Sequence, residues 1–387
     1  MRFFVACPAN YATGGTELLH QFCALLTKKG IENYMVYLDV QQMCPTPDRF
    51  MKYEVKYVSE YIDSEESVLV LPETRVHLSK WCKKGIIIIW WLSVDCYLNA
   101  YGIKKDFGDI FDLKSRTNIF HYVQSYYAEQ FLKDNLGIEK SGYLRDYIND
   151  DIIRLAIKNQ NSNVRKNYIL YNPKKGYENI RPLIELSRDD VEWKPLINYT
   201  PEEMAMLMLQ SKIYIDFGCH PGKDRIPREA AICGCCVLTN REGSAKYNQD
   251  VNIPDEYRFD DMQNIERVLK TVYDIIDNYE EKIPLYQKYR EDILREKEMF
   301  DLDVHCMLKA LNGMEMKLQN GKNTKFDIER YMDILISLRD AMFKIESKVS
   351  TIYTEDSNTQ VMKSLLEMDY MINIVKETLY SIMNDMS

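Results

Sequence analysis

One segment, residues 212–247, constrains the fold of this chain more than any other: KIYIDFGCHPGKDRIPREAAICGCCVLTNREGSAKY. Its hydrophobic start gives way to a basic loop punctuated by Gly and Pro, and a second apolar run follows at 236–238. Between them, Pro227 suits the first turn of a helix and Gly234 suits the residue after its end. The pattern predicts a strand, a loop, a helix of about two turns and a second strand, with the helix N-terminus facing the loop.

The charged residues of this segment indicate an anionic ligand. Lys223, Arg225 and Arg228 lie beside the predicted helix N-terminus, whose free N–H groups and dipole already favour a phosphate group. Glu229, in the first turn, would repel a phosphate, but a carboxylate can accept hydrogen bonds from two hydroxyl groups of a ribose. Phosphate and ribose together predict a nucleotide. The alternative role for Glu229 is that of a helix-capping glutamate on the surface.

The same residues resemble the donor-binding segment of GT-B glycosyltransferases, the nucleotide-sugar-dependent class that includes the glycogen-synthase-like enzymes. The Glu-Ala-Ala triplet at 229–231, Gly234 and the apolar strand at 236–239 match the second half of that segment. The first half departs from it, because Pro221, flanked by His220, stands where the family has a glutamate that contacts the transferred sugar. The variant HPGKDRxPREAA is similar to a bacterial polysaccharide-assembly subgroup.

The resemblance implies an α/β fold in which two Rossmann-like domains face a cleft. It also implies that the reaction needs no metal ion. Further residues in loops beside predicted strands join the donor-binding set, which becomes Gly14, Gly15, Lys174, Lys175, Lys223, Arg228, Glu229, Gly243 and Ser244. The catalytic candidates are Asp95, which follows the apolar strand at 86–91, together with His220 and Arg225. Arg225 and Lys174 are expected to stabilise the diphosphate leaving group. Each of these residues also has a purely structural alternative: Gly14 and Gly15 would form a tight turn, Lys174 and Lys175 a solvated basic turn, and Asp95 a helix cap.

The order of predicted elements divides the chain into three parts. Alternating strands and helices indicate a Rossmann-like acceptor-side domain at 1–145 and a second, nucleotide-sugar-binding domain at 146–318. After a breaker at 319–323, apolar residues recur at three-four spacing in two stretches, which predicts two heptad helices within 324–387. These helices would form an antiparallel hairpin, an oligomerisation bundle or a layer on the enzyme body. We expect a homo-oligomer held through them.

Composition limits the compartment and the partners. A formal net charge of −9 argues against a non-specific nucleic-acid binder, which needs a basic face. The apolar run at 86–92 is too short to span a bilayer, so membrane contact is expected to be peripheral, at the inner face. The cysteines lie mostly in apolar runs and predict reduced, buried thiols in a cytoplasmic protein. No His, Asp and Glu residues show metal-ligand spacing, so neither a metal nor a cofactor is predicted.

Together with these observations, the resemblance to GT-B glycosyltransferases implies a metal-independent, hexosyltransferase-type enzyme that moves a sugar from a nucleotide-sugar donor to a carbohydrate acceptor. The subgroup implies a lipid-linked acceptor for capsule or O-antigen. Two alternatives stay open. The absent first glutamate favours a noncatalytic scaffold on a degenerate glycosyltransferase fold, whereas a sugar-nucleotide epimerase on the same fold would interconvert a donor without any acceptor.

Cutting the chain after Lys322 tests the role of residues 324–387. We expect the truncated protein to retain nucleotide binding and to lose self-association, because its core and cleft are predicted to be complete before that residue. Light scattering on the full-length and truncated proteins measures the number of chains per particle. An unchanged number, or the loss of nucleotide binding, would assign the helices to the catalytic body.

Overall fold

The structure, a computed structural model, describes residues 1–41, 43–102, 113–159 and 165–319. Within these residues, two parallel sheets lie in the compact unit Met1–Asp303. The second unit, Val304–Ser387, is described as far as the helix that ends at Gln319. The heptad helices predicted for 324–387 lie outside the described residues.

The first sheet has seven parallel strands in the described residues, in the order β3-β2-β1-β4-β5-β6-β7. The strands β4 and β5 are buried at every position, which agrees with their continuous apolar sequences because parallel sheets are covered on both faces. The strands are β1 (Arg2–Pro8), β2 (Asn33–Leu38), β3 (Tyr57–Val58), β4 (Ser67–Pro72), β5 (Ile86–Trp91), β6 (Ile119–Val123) and β7 (Gly142–Tyr143).

Among the described residues, three α-helices of this sheet each begin at a hydroxyl side chain that caps the first turn, namely Thr13, Ser93 or Ser125. They are α1 (Gly14–Lys28), α2 (Val94–Tyr101) and α3 (Tyr126–Leu136). Two 3-10 helices span Asp48–Tyr53 and Glu73–Trp81. The second is interrupted at Arg75, whose backbone leaves the helical region at φ −123° and ψ 20°. We call the first sheet and these helices the N-lobe.

The second sheet has five parallel strands in the described residues, in the order β12-β11-β10-β8-β9. They are β8 (Lys166–Tyr171), β9 (Glu192–Pro195), β10 (Ser211–Asp216), β11 (Cys236–Asn240) and β12 (Arg258–Phe259). The helices are α4 (Asp150–Asn159), α5 (Tyr177–Glu185), α6 (Pro201–Gln210), α7 (Arg225–Ile232), α8 (Ile265–Asp277), α9 (Tyr279–Lys282) and α10 (Gln287–Gln319), with 3-10 turns at Gly243–Lys246, Asp255–Tyr257 and Ile283–Tyr286. We call this sheet, with the helices α4 to α9 and α10 as far as Asp303, the C-lobe. The predicted strand, loop, helix and strand of residues 212–247 are confirmed as β10, a loop, α7 and β11.

The cysteines differ in part from their predicted burial. All ten are free thiols, and six of them are buried: Cys7, Cys23, Cys82, Cys233, Cys235 and Cys236. The prediction of burial is wrong for Cys44, Cys96 and Cys219, which are exposed because they lie in loops or in an exposed helical turn. Cys233 and Cys236, which have CxxC spacing, belong to the end of α7 and the start of β11.

The two lobes share hydrogen bonds at helix starts. The carboxylate of Asp250, in the C-lobe, accepts the N–H groups of Tyr126 at 2.8 Å and Tyr127 at 2.9 Å, at the beginning of α3. A helix start leaves such N–H groups without a partner inside the helix, so this contact satisfies them across the lobe boundary. Burial raises the pKa of Asp250 to about 6 although both N–H groups favour its ionised form.

Among the described residues, no helix combines the length and the apolar character that crossing a membrane requires.

Candidate functional site

The loop of residues 217–224, between β10 and α7, packs directly against the N-lobe. The carbonyl of Pro221 accepts the N–H of Val94 at 2.8 Å, at the start of α2. A Cβ on Gly222 would lie 2.3 Å from the carbonyl oxygen of Leu92, which follows β5. This approach excludes any side chain at residue 222, since real Cβ atoms do not come so close to a backbone oxygen. The loop therefore meets the carboxyl edge of the first sheet through its backbone.

A network of buried charges continues this contact. The guanidinium of Arg225, at the start of α7, donates to Asp146 at 3.0 Å and to Glu17 of α1 at 2.5 Å. The guanidinium of Arg228, one turn later, donates to the other oxygen of Asp146 at 2.6 Å and to Glu296 at 2.6 Å. Asp146 lies in the segment that links the two sheets, so its carboxylate joins both arginines at the lobe boundary.

The electrostatics of Asp146 follow from this geometry. Burial alone would raise the pKa of Asp146, but Arg225 and Arg228 more than offset burial and hold that pKa below its ordinary value. Arg228 is fully buried, and its partners also include the carbonyls of Lys223 and Asp224. Arg228 was predicted to bind the nucleotide-sugar donor. Its guanidinium N–H groups are instead hydrogen-bonded to these protein groups, so we leave Arg228 out of the proposed nucleotide-sugar site.

Glu229 differs from these residues in having no partner. Its side chain is 7% exposed, and among the described residues it forms no hydrogen bond or salt bridge. Burial raises its pKa, an effect that the nearby Arg225 and Arg228 reduce in part. A largely buried carboxylate without a hydrogen bond is costly, so Glu229 requires an explanation such as a role in binding a ligand.

Lys175 and His220, two of the predicted site residues, meet in a second cluster at the end of β10. The ammonium of Lys175 lies 2.8 Å from Asp224 and 3.4 Å from Asp216, and Nδ1 of His220 lies 3.0 Å from Asp224. His220 is 1% exposed, so its ring holds the loop together and does not face open space. Lys174, by contrast, is exposed, and its ammonium makes no hydrogen bond with the described residues.

The acidic and imidazole groups of this cluster are a candidate cation site. Ligand atoms of Asp216, His220 and Asp224 lie within 4.8 Å of one another. Lys175 already supplies a positive charge to both carboxylates. Burial tends to raise the pKa of Asp224, but His220 and Lys175 lower it below its ordinary value. The prediction that the protein needs no metal stays a prediction.

Asp224 also bears on the start of α7. It occupies the N-cap position, yet its side chain makes no capping hydrogen bond to α7, because it binds Lys175 and His220. The N–H groups of the first turn of α7 are thus not capped by their own N-cap side chain. Such a helix start attracts an anion.

The glycine pair lies in a helix, and not in the predicted loop. Thr13 is the N-cap of α1 and forms a reciprocal capping box with Thr16, which places Gly14 and Gly15 in the first turn. A Cβ on Gly14 would lie 3.4 Å from Cδ of Arg225, so this turn closes on the start of α7. The start of α1 and the start of α7 therefore lie side by side.

The predicted phosphate ligands Gly243 and Ser244 serve the 217–224 loop. Ser244 is fully buried; its N–H donates to the carbonyl of His220 at 2.9 Å and its hydroxyl to that of Gly222 at 2.6 Å. Gly243 has φ +51°, and a Cβ there would lie 1.9 Å from the same His220 oxygen. Both donors of Ser244 are used, so this geometry gives the two residues a supporting role and does not favour phosphate contact.

Two further predicted residues have protein partners. Asp95, in the first turn of α2, is half-buried and accepts the hydroxyl of Tyr127 at 3.1 Å; the helix cap is Ser93. The ammonium of Lys223 lies 2.7 Å from Glu296. In the described structure, neither Asp95 nor Lys223 forms a hydrogen bond with Glu229.

Comparison with solved structures identifies this arrangement of two sheets. Sucrose-phosphate synthase from Thermosynechococcus elongatus matches with a TM-score of 0.58 and 12% identity, over 81% of this chain and 99% of that one. A glycosyltransferase from Rickettsia africae ESF-5 matches with a TM-score of 0.55 and 13% identity, over 80% of this chain and 97% of that one. The chain has the GT-B fold.

A third GT-B structure is similar over a comparable length. The UDP-forming alpha,alpha-trehalose-phosphate synthase from Burkholderia xenovorans, in complex with glucose-6-phosphate, matches with a TM-score of 0.52 and 10% identity, over 80% of this chain and 100% of that one. Comparison of the sequence with models of protein families gives no match, and comparison with curated proteins gives none either. The likeness therefore concerns the fold, and it confirms the predicted fold class for the described residues.

Sequence reasoning missed the acidic residues of this GT-B cleft. Glu17, Asp146 and Glu296 hold the arginines, and Glu73, directly after β4, accepts the N–H of Leu92 at 2.9 Å. Burial raises the pKa of Glu73 to about 7 although this N–H favours the ionised form. The one local signal was the position of Glu73 at the carboxyl end of a buried strand, where doubly wound folds collect polar groups.

Replacing Asp146 with alanine should lower the free energy of unfolding by about 3 to 5 kcal/mol, because two buried arginines lose a shared carboxylate. Since the pKa of Asp146 is lowered in the fold, its contribution is present above the ordinary carboxyl range, near pH 4, and disappears as pH falls through the folded pKa. The difference between wild type and Asp146→Ala should thus shrink in acid.

Urea unfolding at several pH values measures this effect, with Asp189→Ala, at an exposed position, as the matched control. Equal free energies of unfolding for Asp146→Ala and Asp189→Ala at pH 7 would contradict the role of Asp146.

Proposed function

We propose that the protein is a glycosyltransferase that moves a sugar from a nucleotide-sugar donor, bound in the cleft between the lobes, to a carbohydrate acceptor. The observation that carries the proposal is Glu229, a buried carboxylate without a hydrogen-bond partner in the described structure, one turn into a helix whose start favours an anion. A ribose supplies the two hydroxyls that such a carboxylate can accept. The GT-B fold supports the same reading.

The uncapped N–H groups at the start of α7 are the proposed site of the donor diphosphate. Lys174, which is exposed and has no ion pair with any described residue, is proposed to supply a positive charge to the diphosphate as well. These groups would stabilise the charge that develops on the leaving diphosphate, and the backbone N–H groups would do so without reorientation because the helix already fixes their direction. Arg225 acts at this site only if a ligand competes with Glu17 and Asp146 for its guanidinium.

Asp95 and His220 hold different places in this proposal. Asp95 lies on the N-lobe side, half-buried and bound to Tyr127, and we propose that it faces the acceptor. The ring of His220, itself part of the 217–224 loop, is buried and positions that loop through its contact with Asp224. Pro221 supplies no carboxylate beside the sugar, so departure of the diphosphate depends on electrostatic stabilisation.

The resemblance to a polysaccharide-assembly subgroup motivates the finer proposals. The acceptor would be a lipid-linked glycan of a capsule or O-antigen, met by peripheral contact with the inner face of a membrane. Self-association would be carried by residues 324–387.

One observation favours the alternative of a noncatalytic scaffold. The cations predicted to bind the donor are largely paired with protein carboxylates: Lys175, Lys223, Arg225 and Arg228. A degenerate enzyme could keep such pairs to hold its lobes together. Hydrolysis of a nucleotide sugar by the purified protein would exclude the scaffold.

Glu229→Gln tests the anchor of the proposed site. In a thermal-shift screen against UDP-, GDP-, dTDP- and CMP-sugars, a donor held at about 100 times its dissociation constant should add about 2.7 kcal/mol to the stability of the wild type. The variant loses a charge-assisted hydrogen bond of about 1.5 to 3 kcal/mol, so its dissociation constant should rise by about 10- to 100-fold.

The pH dependence of binding provides a second readout. Because the pKa of Glu229 is raised, donor affinity in the wild type should fall as pH falls through that raised value, and it should stay flat in Glu229→Gln. Calorimetry on Glu178→Gln, an exposed glutamate of α5, provides the matched control. Wild-type affinity in Glu229→Gln would show that Glu229 is only structural.

Transfer activity should persist in EDTA, because Lys174 and the helix starts supply positive charge and Lys175 already compensates Asp216 and Asp224. The activity is measured as release of free nucleotide in the presence of acceptor, with and without chelator. Complete loss in EDTA with rescue by magnesium or manganese would instead assign a cation to Asp216, His220 and Asp224.

A further inference from the structure

A cavity of about 800 Å³ opens on the N-lobe, beside β2 and the 3-10 helix Glu73–Trp81. It lies on the face of the sheet opposite α1: Phe3 of β1 packs on Phe22 of α1, whereas Ala6 and its neighbour Val36 point to the other face. The volume falls in the range of about 300 to 1,000 Å³ found for small-molecule sites.

The course of the chain explains why this face is open. Residues 43–56, in the connection between β2 and β3, pass on the α1 side, where the ring of Phe50 lies 4.7 Å from that of His20. On the opposite face Leu38, Val58 and Tyr61 are only half-buried. The 3-10 helix Glu73–Trp81 forms the second wall of the cavity, through Arg75, His77 and Trp81.

His77 presents a hydrogen-bond acceptor to this cavity. The hydroxyl of Tyr101 donates to the carbonyl of Thr74 at 2.9 Å, so it must accept from Nδ1 of His77, which lies 2.8 Å away. The neutral imidazole then carries its proton on Nδ1, and Nε2 is left as an acceptor. Among the described residues, Nε2 of His77 has no hydrogen-bond partner.

The charges around the cavity disfavour an anionic ligand. Asp39, Glu60 and Asp63 outnumber Arg75, and Arg75 approaches Asp39 to only 3.7 Å. Asp63 is occupied by the N–H groups of residues 83–85, whereas Asp39 and Glu60 are exposed. A diphosphate would be repelled here, but hydroxyl groups would find carboxylates, a guanidinium and an imidazole nitrogen.

The apolar part of the lining suits a ligand with flat, weakly polar faces. The indole of Trp81 is 37% exposed at the rim, and Tyr61 lies nearby on the sheet. An aromatic ring offers a large apolar surface at a small cost in conformational entropy. Exposed aromatic surface beside carboxylates matches a sugar ring, which combines apolar C–H faces with equatorial hydroxyls.

We propose that this cavity is a saccharide-binding groove that holds a neutral oligosaccharide, the part of the acceptor remote from the reacting hydroxyl. This inference rests on the proposed glycosyltransferase function and names its acceptor class. Parallel strand order supports it: β2, β1 and β4 are neighbours, so Asp39 and Arg75, which follow β2 and β4, lie at the same carboxyl edge of the sheet as the start of α1, whose Gly14 meets Arg225. Binding energy from a remote part of a substrate is a usual means of positioning the reacting part.

The test is binding of the full-length protein to an array of neutral and acidic oligosaccharides of two to six sugars, followed by fluorescence titration with the best neutral compound. Trp81→Ala should weaken that binding about tenfold or more, and Glu60→Gln, a change at an exposed position, should weaken it about tenfold through loss of a charged acceptor. Tyr199→Ala, an exposed aromatic on the C-lobe, is the matched control and should bind like the wild type.

The outcomes separate this proposal from the proposed function. Reduced saccharide binding in Trp81→Ala and Glu60→Gln, with nucleotide-sugar binding unchanged in both, supports the groove. Wild-type saccharide binding in both variants overturns it, as does a preference of the wild type for acidic oligosaccharides. A wild type that binds nucleotide sugars but no neutral oligosaccharide overturns the groove alone, whereas binding of neither overturns the glycosyltransferase proposal as well.

Discussion

The carboxylate of Asp146 is the group on which the arrangement of the two lobes depends. It accepts hydrogen bonds from both Arg225 and Arg228, and these arginines reach Glu17 in the N-lobe and Glu296 in α10. A buried ion pair is favourable only when its geometry compensates for desolvation, and here each charge has two opposite partners. The network thus closes the cleft at one defined position.

This network also limits what a ligand can do in the cleft. Glu17, Asp146 and Glu296 balance Arg225, Arg228 and Lys223, so the ion pairs leave little positive charge for a diphosphate. The remaining attractions are the start of α7, which its own N-cap side chain does not cap, and the exposed Lys174. A donor would therefore bind mainly through oriented backbone dipoles, which keep their direction when the ligand arrives. Binding that also recruits Arg225 would break the contact with Glu17 and loosen the lobes.

The backbone at the lobe boundary is also held in place by contacts with both lobes. Gly222 and Gly243 lie where the 217–224 loop touches the N-lobe and the Gly243–Lys246 turn, and neither position has room for a Cβ. Ser244 and the carbonyl of Pro221 complete the hydrogen bonds of this loop. The loop that begins the proposed donor site is consequently held from both lobes, which favours a preorganised site over one formed by the ligand.

The sequence alone determined those parts of this protein that depend on neighbouring residues. Continuous apolar runs predicted β4 and β5, and Gly234, with φ +87°, ends α7 as expected because only glycine adopts that backbone without strain. The helix start beside Glu229 was also readable, because Pro227 and the basic residues lie within a few positions of it.

Tertiary structure decided which charges remain available. Arg225 and Asp146 are 79 positions apart, and Lys175 and Asp224 are 49 apart, so no local pattern reveals that these cations are paired. Even a nearby choice escaped prediction: Thr13 and Thr16 are both good caps, and their reciprocal hydrogen bonds, with Thr13 first, placed the glycine pair inside α1. Local pattern specifies a strand or a helix because its hydrogen bonds are local, whereas the pairing of buried charges is settled only when distant segments pack together.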